Sequence, residues 1–231
     1  MIYLLIVYKL LDLSALLGNY SSRWIFGCYL LKYAIISFIT PSEITHFTMK
    51  NIALVVIDLQ KGIVAMDTAP YTSRTVIDNS VRLIRAFREI HAPVFLVHVD
   101  FLWGESLHPH SDTPLSGGNH PQWWADFVPE LDIQLSDITI TKRQWWAFYG
   151  TELDLQLRRW NIDTIVLCGI ATSIGVESTA RNAYELWYNQ IFPEDAMTSR
   201  SAEEHHSSIN HIFPRIGQVR STEEVLHIIK G

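Results

Sequence analysis

Two charged side chains follow predicted strands, and both are of types that move protons or hold anions. Asp58 comes directly after the apolar run 55–57, and Lys142 comes directly after the short run 138–141. A carboxyl group can act as a general acid or base, and a neighbouring ammonium group shifts its pKa and holds anions by charge. Taken singly, Asp58 could instead be a capping or turn aspartate, and Lys142 a solvated loop lysine.

A turn of small residues follows another apolar run. Residues 169–177 read Gly-Ile-Ala-Thr-Ser-Ile-Gly-Val-Glu and come directly after Cys168. A strand that leads through such a turn into a helix N-terminus exposes backbone N–H groups that can bind an anion or oxyanion. Because Cys168 lies within the apolar strand, we interpret it as an inert core thiol and not as a nucleophile.

The histidines raise the alternative of a metal site. His98 and Asp100 follow the second predicted strand and are spaced to face the same way. A dedicated site needs three or four ligands, and only loop histidines could complete the set. These are His108, His110 and His120. We therefore interpret His98 and Asp100 as a structural pair and expect neither a metal nor a cofactor.

The elements that must position these residues alternate in type along the chain. Predicted strands cover residues 52–57, 93–99, 138–141, 163–168, 190–193 and 216–219. Predicted helices cover residues 74–90, 151–160, 174–188 and 201–213, with a last helix from residue 221. This alternation predicts an α/β protein, a Rossmann-like three-layer α/β/α sandwich with a mainly parallel six-stranded sheet. Ligands bind such sheets beyond the carboxyl ends of the strands, and the long loop 101–121 is of the kind that carries function.

Composition limits the class of protein. The chain has 231 residues, which is the length of one domain with an appendage, and 48% of them are apolar, which excludes a disordered protein. A net charge of −6 argues against a nucleic-acid-binding surface. Two cysteines, Cys28 and Cys168, cannot form a disulfide framework, so we expect a reducing, cytoplasmic location.

Residues 1–48 differ from the rest of the chain. They contain two apolar stretches, 2–17 and 24–39, and charged residues interrupt both, so neither fits an uninterrupted spanning helix. We interpret this segment as a doubtful N-terminal extension from a mis-assigned start, with the working domain at 49–231. A weak membrane segment is the alternative.

Three segments together resemble the isochorismatase-like cysteine hydrolase superfamily, and the resemblance runs from about Asn51 to Ile228. The segments are Val55-Val56-Ile57-Asp58-Leu59-Gln60, then Lys142-Arg143 followed by Ala147-Phe148-Tyr149-Gly150-Thr151, then Gly169-Ile170-Ala171-Thr172 through Glu177. The resemblance implies the fold of that superfamily and three working residues: an aspartate, a lysine and a nucleophilic cysteine. The first two match Asp58 and Lys142, whereas the third position holds Gly175.

Glycine at position 175 closes the covalent route, because amidases of the superfamily acylate that cysteine. The resemblance also covers true isochorismatases, which lack the cysteine and cleave a vinyl ether. We therefore expect a small-molecule hydrolase that acts without a cysteine nucleophile, on a vinyl ether such as isochorismate. A water-using hydrolase of another substrate and a non-catalytic binding or scaffold relative stay open as alternatives.

The expected roles follow from this chemistry. Asp58 would be the acid or base and Lys142 its electrostatic partner. Gly175 would leave room for substrate or water, and Ala171 would begin an oxyanion-binding turn, often preceded by a cis peptide in the superfamily. Trp146 replaces a serine of the third-strand motif and would narrow the pocket. We expect a small-molecule substrate, a homo-oligomer, and neither nucleic acid nor membrane as a partner.

Overall fold

The computed structural model of the chain describes residues 51–100, 110–112 and 120–230. The predicted extension at 1–48 lies outside the described residues, as does most of the predicted loop 101–121, including His108. In the described ranges, no helix combines the length and apolar character needed to cross a membrane.

The described part of the chain forms one sheet of seven strands, and every pair of neighbouring strands is parallel. The strands are β1 (Ile52–Ile57), β2 (Val94–Val99), β3 (Ile138–Lys142), β4 (Thr164–Ile170), β5 (Asn189–Pro193), β6 (Met197–Thr198) and β7 (Gln218–Arg220). Their order is β3-β2-β1-β4-β5-β7, and β6 pairs with the end of β4.

Helices connect the strands. They are α1 (Lys61–Val64), α2 (Ser73–Glu89), α3 (Leu153–Arg159), α4 (Glu177–Glu185), α5 (Ala202–Ser207), α6 (Phe213–Ile216) and α7 (Thr222–Lys230). Single π-helical turns, Thr172–Val176 and Ser208–Ile212, lead into α4 and α6. Short 3₁₀ helices span Gln122–Ala125, Pro129–Leu131 and Glu194–Ala196.

Two apolar cores lie on opposite faces of the sheet. Alternate residues of β1 enter different cores, because successive side chains of a strand point to opposite faces. Helices α2 and α7 cover one face, and α3, α4 and α6 cover the other. Since β1 and β4 are buried on both faces, their sequences are apolar except for the buried Thr164. The predicted three-layer α/β/α sandwich is thereby confirmed.

The strand count corrects the prediction. Six strands were expected, and the seventh, β6, has only two residues, Met197–Thr198. Two residues are too short to show an alternation pattern, so β6 is defined only by its pairing with Gly169 and Ile170. The helix predicted at 174–188 instead comprises the π turn from Thr172 and α4, which ends at Glu185.

The order of the strands creates a crevice at the carboxyl ends of β1 and β4. The chain leaves β1 toward β2 and β3, and places β4 on the other side of β1. Ligands bind doubly wound sheets at such a switch point. Gly169, with φ 121°, pairs with Ile57, and a Cβ there would lie 2.0 Å from the Ile57 carbonyl oxygen. Only glycine therefore lets the two strand ends lie this close.

Candidate active site

Asp58 and Lys142 meet across the carboxyl edge of the sheet. Asp58 is the first residue after β1, has a left-handed backbone (φ 55°) and donates its N–H to Val97 O at 2.8 Å. Lys142 is the last residue of β3, so its side chain must reach past β2, which lies between β3 and β1. Its Nζ lies 2.8 Å from Asp58 Oδ2, and both side chains are buried.

Burial dominates the electrostatics of the pair. Removal from water raises the pKa of the Asp58 carboxyl above its ordinary value, although the Lys142 ammonium acts in the opposite direction. Lys142 Nζ also donates to Gln144 O at 3.1 Å. Asp58 Oδ1 is buried and has no hydrogen-bond partner among the described residues. The site thus contains a carboxyl group with increased proton affinity and one unpaired oxygen.

Gly175 faces this carboxyl group from the π turn after β4. A Cβ at Gly175 would lie 3.2 Å from Asp58 Oδ2, 3.1 Å from Ile57 Cγ2 and 3.4 Å from Trp145 O. Any side chain at position 175 would therefore start beside the acidic oxygen that Lys142 holds. The match of this position to the nucleophile of the superfamily stays a prediction, and the backbone there directs a Cβ toward Asp58.

The turn that carries Gly175 begins at Ala171. The peptide bond between Ile170 and Ala171 is cis, as the resemblance implies. The Ala171 carbonyl accepts hydrogen bonds from the N–H groups of Ile174 and Val176, each at 3.1 Å. These bonds close the turn directly beside the carboxyl end of β1.

The remaining expected residues have different surroundings. The half-buried Trp146 ring stacks on Tyr149, whereas the group next to the Gly175 Cβ position is the main-chain carbonyl of Trp145. A role for Trp146 in narrowing the pocket stays a prediction. Arg143, next to Lys142, forms an ion pair with Asp100 at 3.0 Å.

His98 and Asp100, the candidate metal pair, are engaged with protein groups. His98 Nδ1 lies 2.8 Å from Ala125 O, and His98 Nε2 lies 2.8 Å from Thr141 Oγ1. Within residues 51–100, 110–112 and 120–230, no three His, Cys, Asp or Glu side chains cluster as metal ligands do.

Two supporting residues escaped the sequence analysis. Gln60 is fully buried and forms a reciprocal pair of 2.9 Å hydrogen bonds with the backbone N–H and C=O of Val99, which fixes β1 to the end of β2. Thr179 donates to Gly175 O at 2.7 Å and accepts from Ala147 N at 3.0 Å. Two signals could have identified them: Gln60 lies in the first quoted segment, and Thr179 lies four residues, about one helical turn, after Gly175.

Comparison with known proteins assigns this fold to a class, the isochorismatase-like α/β proteins. The family model described as the Isochorismatase domain matches residues 52–224. The chain belongs to the isochorismatase family.

Its relatives match most of the chain. YwoC of Bacillus subtilis (strain 168), an isochorismatase family protein, is 54% identical over 188 residues, which cover 80% of this chain and 97% of YwoC. YecD of Escherichia coli O157:H7 is 51% identical over 182 residues, covering 78% and 97%. The structure of an isochorismatase family protein from Burkholderia thailandensis is 41% identical, with a TM-score of 0.76 and coverages of 79% and 97%.

The sign of the stability change caused by Gly175→Ala tests the crowding at the site. In an uncrowded helix, replacing glycine by alanine stabilises a protein by as much as about 1 kcal/mol. At position 175 the new methyl group would press on Asp58 Oδ2 and Ile57, so we expect a loss of about 1–3 kcal/mol in the free energy of unfolding. Urea unfolding monitored by circular dichroism measures this change. A variant more stable than the parent would contradict the close approach.

The reactivity of the Cys168 thiol tests the interpretation that it is an inert core residue. Burial raises the pKa of its thiol to about 12, and its Sγ lies 3.7 Å from Ser80 Oγ. In a Cys28→Ser background, we expect Ellman's reagent to modify Cys168 only as fast as the protein unfolds. The control is the same protein in concentrated urea, which should react at once. Rapid modification of the folded protein would identify Cys168 as a reactive group.

Proposed function

We propose that the chain is a hydrolase of a small-molecule vinyl ether, such as isochorismate, and that it acts without a protein nucleophile. One observation carries the proposal: position 175 has no side chain, and its backbone faces the buried Asp58–Lys142 pair. A substrate atom that occupies the place of the missing side chain would lie against Asp58 Oδ2. The groups available there are those of an acid and a cation, which suit proton transfer to an anionic substrate.

A vinyl ether needs a proton more than it needs a nucleophile. In the proposed reaction, Asp58 protonates the terminal CH₂ carbon, and the positive charge develops as an oxocarbenium ion at the ether carbon. Water adds to that carbon and returns a proton to the Asp58 carboxylate. The resulting hemiketal then breaks its bond to the leaving oxygen while its hydroxyl proton passes to that oxygen, which yields pyruvate and an alcohol.

Two features of the site support these roles. Burial favours the neutral form of Asp58, which is the form that can donate a proton. Once the proton has moved, the Lys142 ammonium, 2.8 Å from Oδ2, stabilises the carboxylate that remains. The same positive charge would attract a substrate that carries carboxylates.

A water-activating hydrolase of another substrate is the second candidate. The Lys142–Asp58 bond favours it, because a paired ammonium supports an ionised aspartate, and an ionised aspartate could act as a base on water. The two candidates differ in the direction of their pH dependence. An acid loses activity as the pH rises through its pKa, whereas a base gains activity.

Asp58→Asn tests the proton donor. Asparagine keeps the shape of the side chain but has no acidic proton, so we expect turnover of isochorismate to fall by roughly 10²- to 10⁴-fold. Pyruvate release, coupled to lactate dehydrogenase, measures the rate. Asp126→Asn is a matched control, because Asp126 forms an exposed pair with Lys61 at 2.9 Å. Activity in Asp58→Asn equal to that of the control would rule out the assigned role.

Lys142→Met tests the charge partner through the pH profile. We expect kcat/KM of the parent to decrease as the pH rises through the pKa of Asp58, which lies above the ordinary value of 3.8. Loss of the ammonium removes an influence that lowers this pKa, so the decrease should move to higher pH while the maximal rate falls. Lys61→Met serves as the control. An unmoved profile, or a rate that rises with pH, would contradict the acid role.

A further inference from the structure

The turn that carries Gly175 is fixed by a second buried contact, which lies outside the Asp58–Lys142 pair. His205 of α5 places its Nδ1 2.9 Å from Oγ1 of Thr172, the residue that follows Ala171. His205 is 1% exposed and Thr172 is fully buried. Two polar side chains in such a position are expensive to bury unless they pair, and here each satisfies the other.

The surroundings of His205 favour a neutral ring. Its ring and the Tyr71 ring form a T-shaped contact, with centroids 5.7 Å apart. Burial lowers the pKa of His205 to about 4, and the neighbouring His206 acts in the same direction. The contact with Thr172 is therefore a hydrogen bond between neutral groups at ordinary pH, and the hydroxyl can match either ring tautomer.

The neighbouring residue of α5 contacts the next residue of the turn. Glu204 Oε2 accepts a hydrogen bond from Ser173 Oγ at 3.3 Å, at the surface of the protein. Inside, Ser199 Oγ accepts from Ser173 N at 3.1 Å. The start of the turn is thus held by several side-chain contacts, and the buried part of this support comes from His205 and Ser199.

This support bears on the chemistry because the gap between the turn and Asp58 is narrow. The Gly175 Cβ position lies only 3.2 Å from Asp58 Oδ2. A small movement of the turn is therefore a large fraction of the space that a substrate atom could occupy. A misplacement of about 1 Å at a reacting centre can cost on the order of 10² in rate.

We propose that His205 is a positioning residue, which holds Thr172 and so sets the distance between the Gly175 turn and the Asp58 carboxyl group. Its effect on turnover rests on the proposed function, whereas its effect on the turn itself does not. Two independent measurements separate these claims.

The kinetic measurement compares four variants with the parent on isochorismate. His205→Leu and Thr172→Val each remove one half of the hydrogen bond, and we expect each to lower kcat by about 10- to 100-fold with a smaller change in KM. His205→Asn keeps a polar atom near the place of Nδ1 and should recover much of the loss. The double variant His205→Leu/Thr172→Val should be no worse than either single one, because both remove the same contact.

The second measurement needs no substrate. Amide hydrogen exchange, followed by NMR, should become about tenfold faster at residues 173–176 in His205→Leu and in Thr172→Val. His206→Leu is the matched control, because His206 is exposed and adjoins His205 on the same helix. Thr172→Val keeps the shape of the side chain, and so tests the contact even if His205→Leu fails to fold.

The outcomes are distinct. If the parent does not turn over isochorismate, the proposed function fails, and the exchange measurement still decides the role of His205. If exchange at residues 173–176 is unchanged in both variants, or if the two losses in kcat multiply in the double variant, His205 does not position the turn. If exchange at residues 173–176 became as fast in His206→Leu as in His205→Leu, that result would also overturn the proposal.

Discussion

Burial of the Asp58–Lys142 pair constrains most of this structure. Lys142 and Asp58 lose nearly all contact with water, and a buried ammonium beside a buried carboxyl group is tolerated only when the two lie in close hydrogen-bonding contact. The apolar strands β1, β2 and β4 create the dry edge on which the pair lies. The parallel order β3-β2-β1 sets the span that the Lys142 side chain bridges to reach Asp58.

Two glycines determine the shape of the site beside this pair. Gly169 lets β4 approach the backbone of β1, so that the turn after β4 reaches Asp58 at all. Gly175 then leaves its place beside Oδ2 without a side chain. Gly169 is required by its positive φ and by the close approach of the two strands. The backbone at Gly175 lies outside the left-handed region, and what favours glycine there is the closeness of Asp58 and Ile57 to the Cβ position.

Sequence reasoning succeeded where a single strand or helix carries the information. Strand β1 is a continuous apolar run and β4 is nearly one, and the helix predicted from residue 201 begins there, where Ser201 Oγ accepts the N–H of Glu204. Sequence reasoning failed where two residues in contact belong to different strands or helices. The contacts of Gln60 with Val99 and of Thr172 with His205 join residues more than 30 positions apart, and no local pattern links them. Asp58 and Lys142 could be placed on one edge, but their distance across β2 depends on the twist and register of three strands.

The opposing influences on Asp58 indicate what the substrate must contribute to the proposed reaction. Lys142 favours the carboxylate and burial favours the acid, and burial has the larger effect in the free protein. An anionic substrate that enters beside Gly175 would bring a negative charge near Asp58 and would partly neutralise Lys142. Both effects raise the proton affinity of the carboxyl group further. A neutral amide would have neither effect. The proton affinity of Asp58 would therefore be highest when the bound substrate is an ether that carries carboxylates.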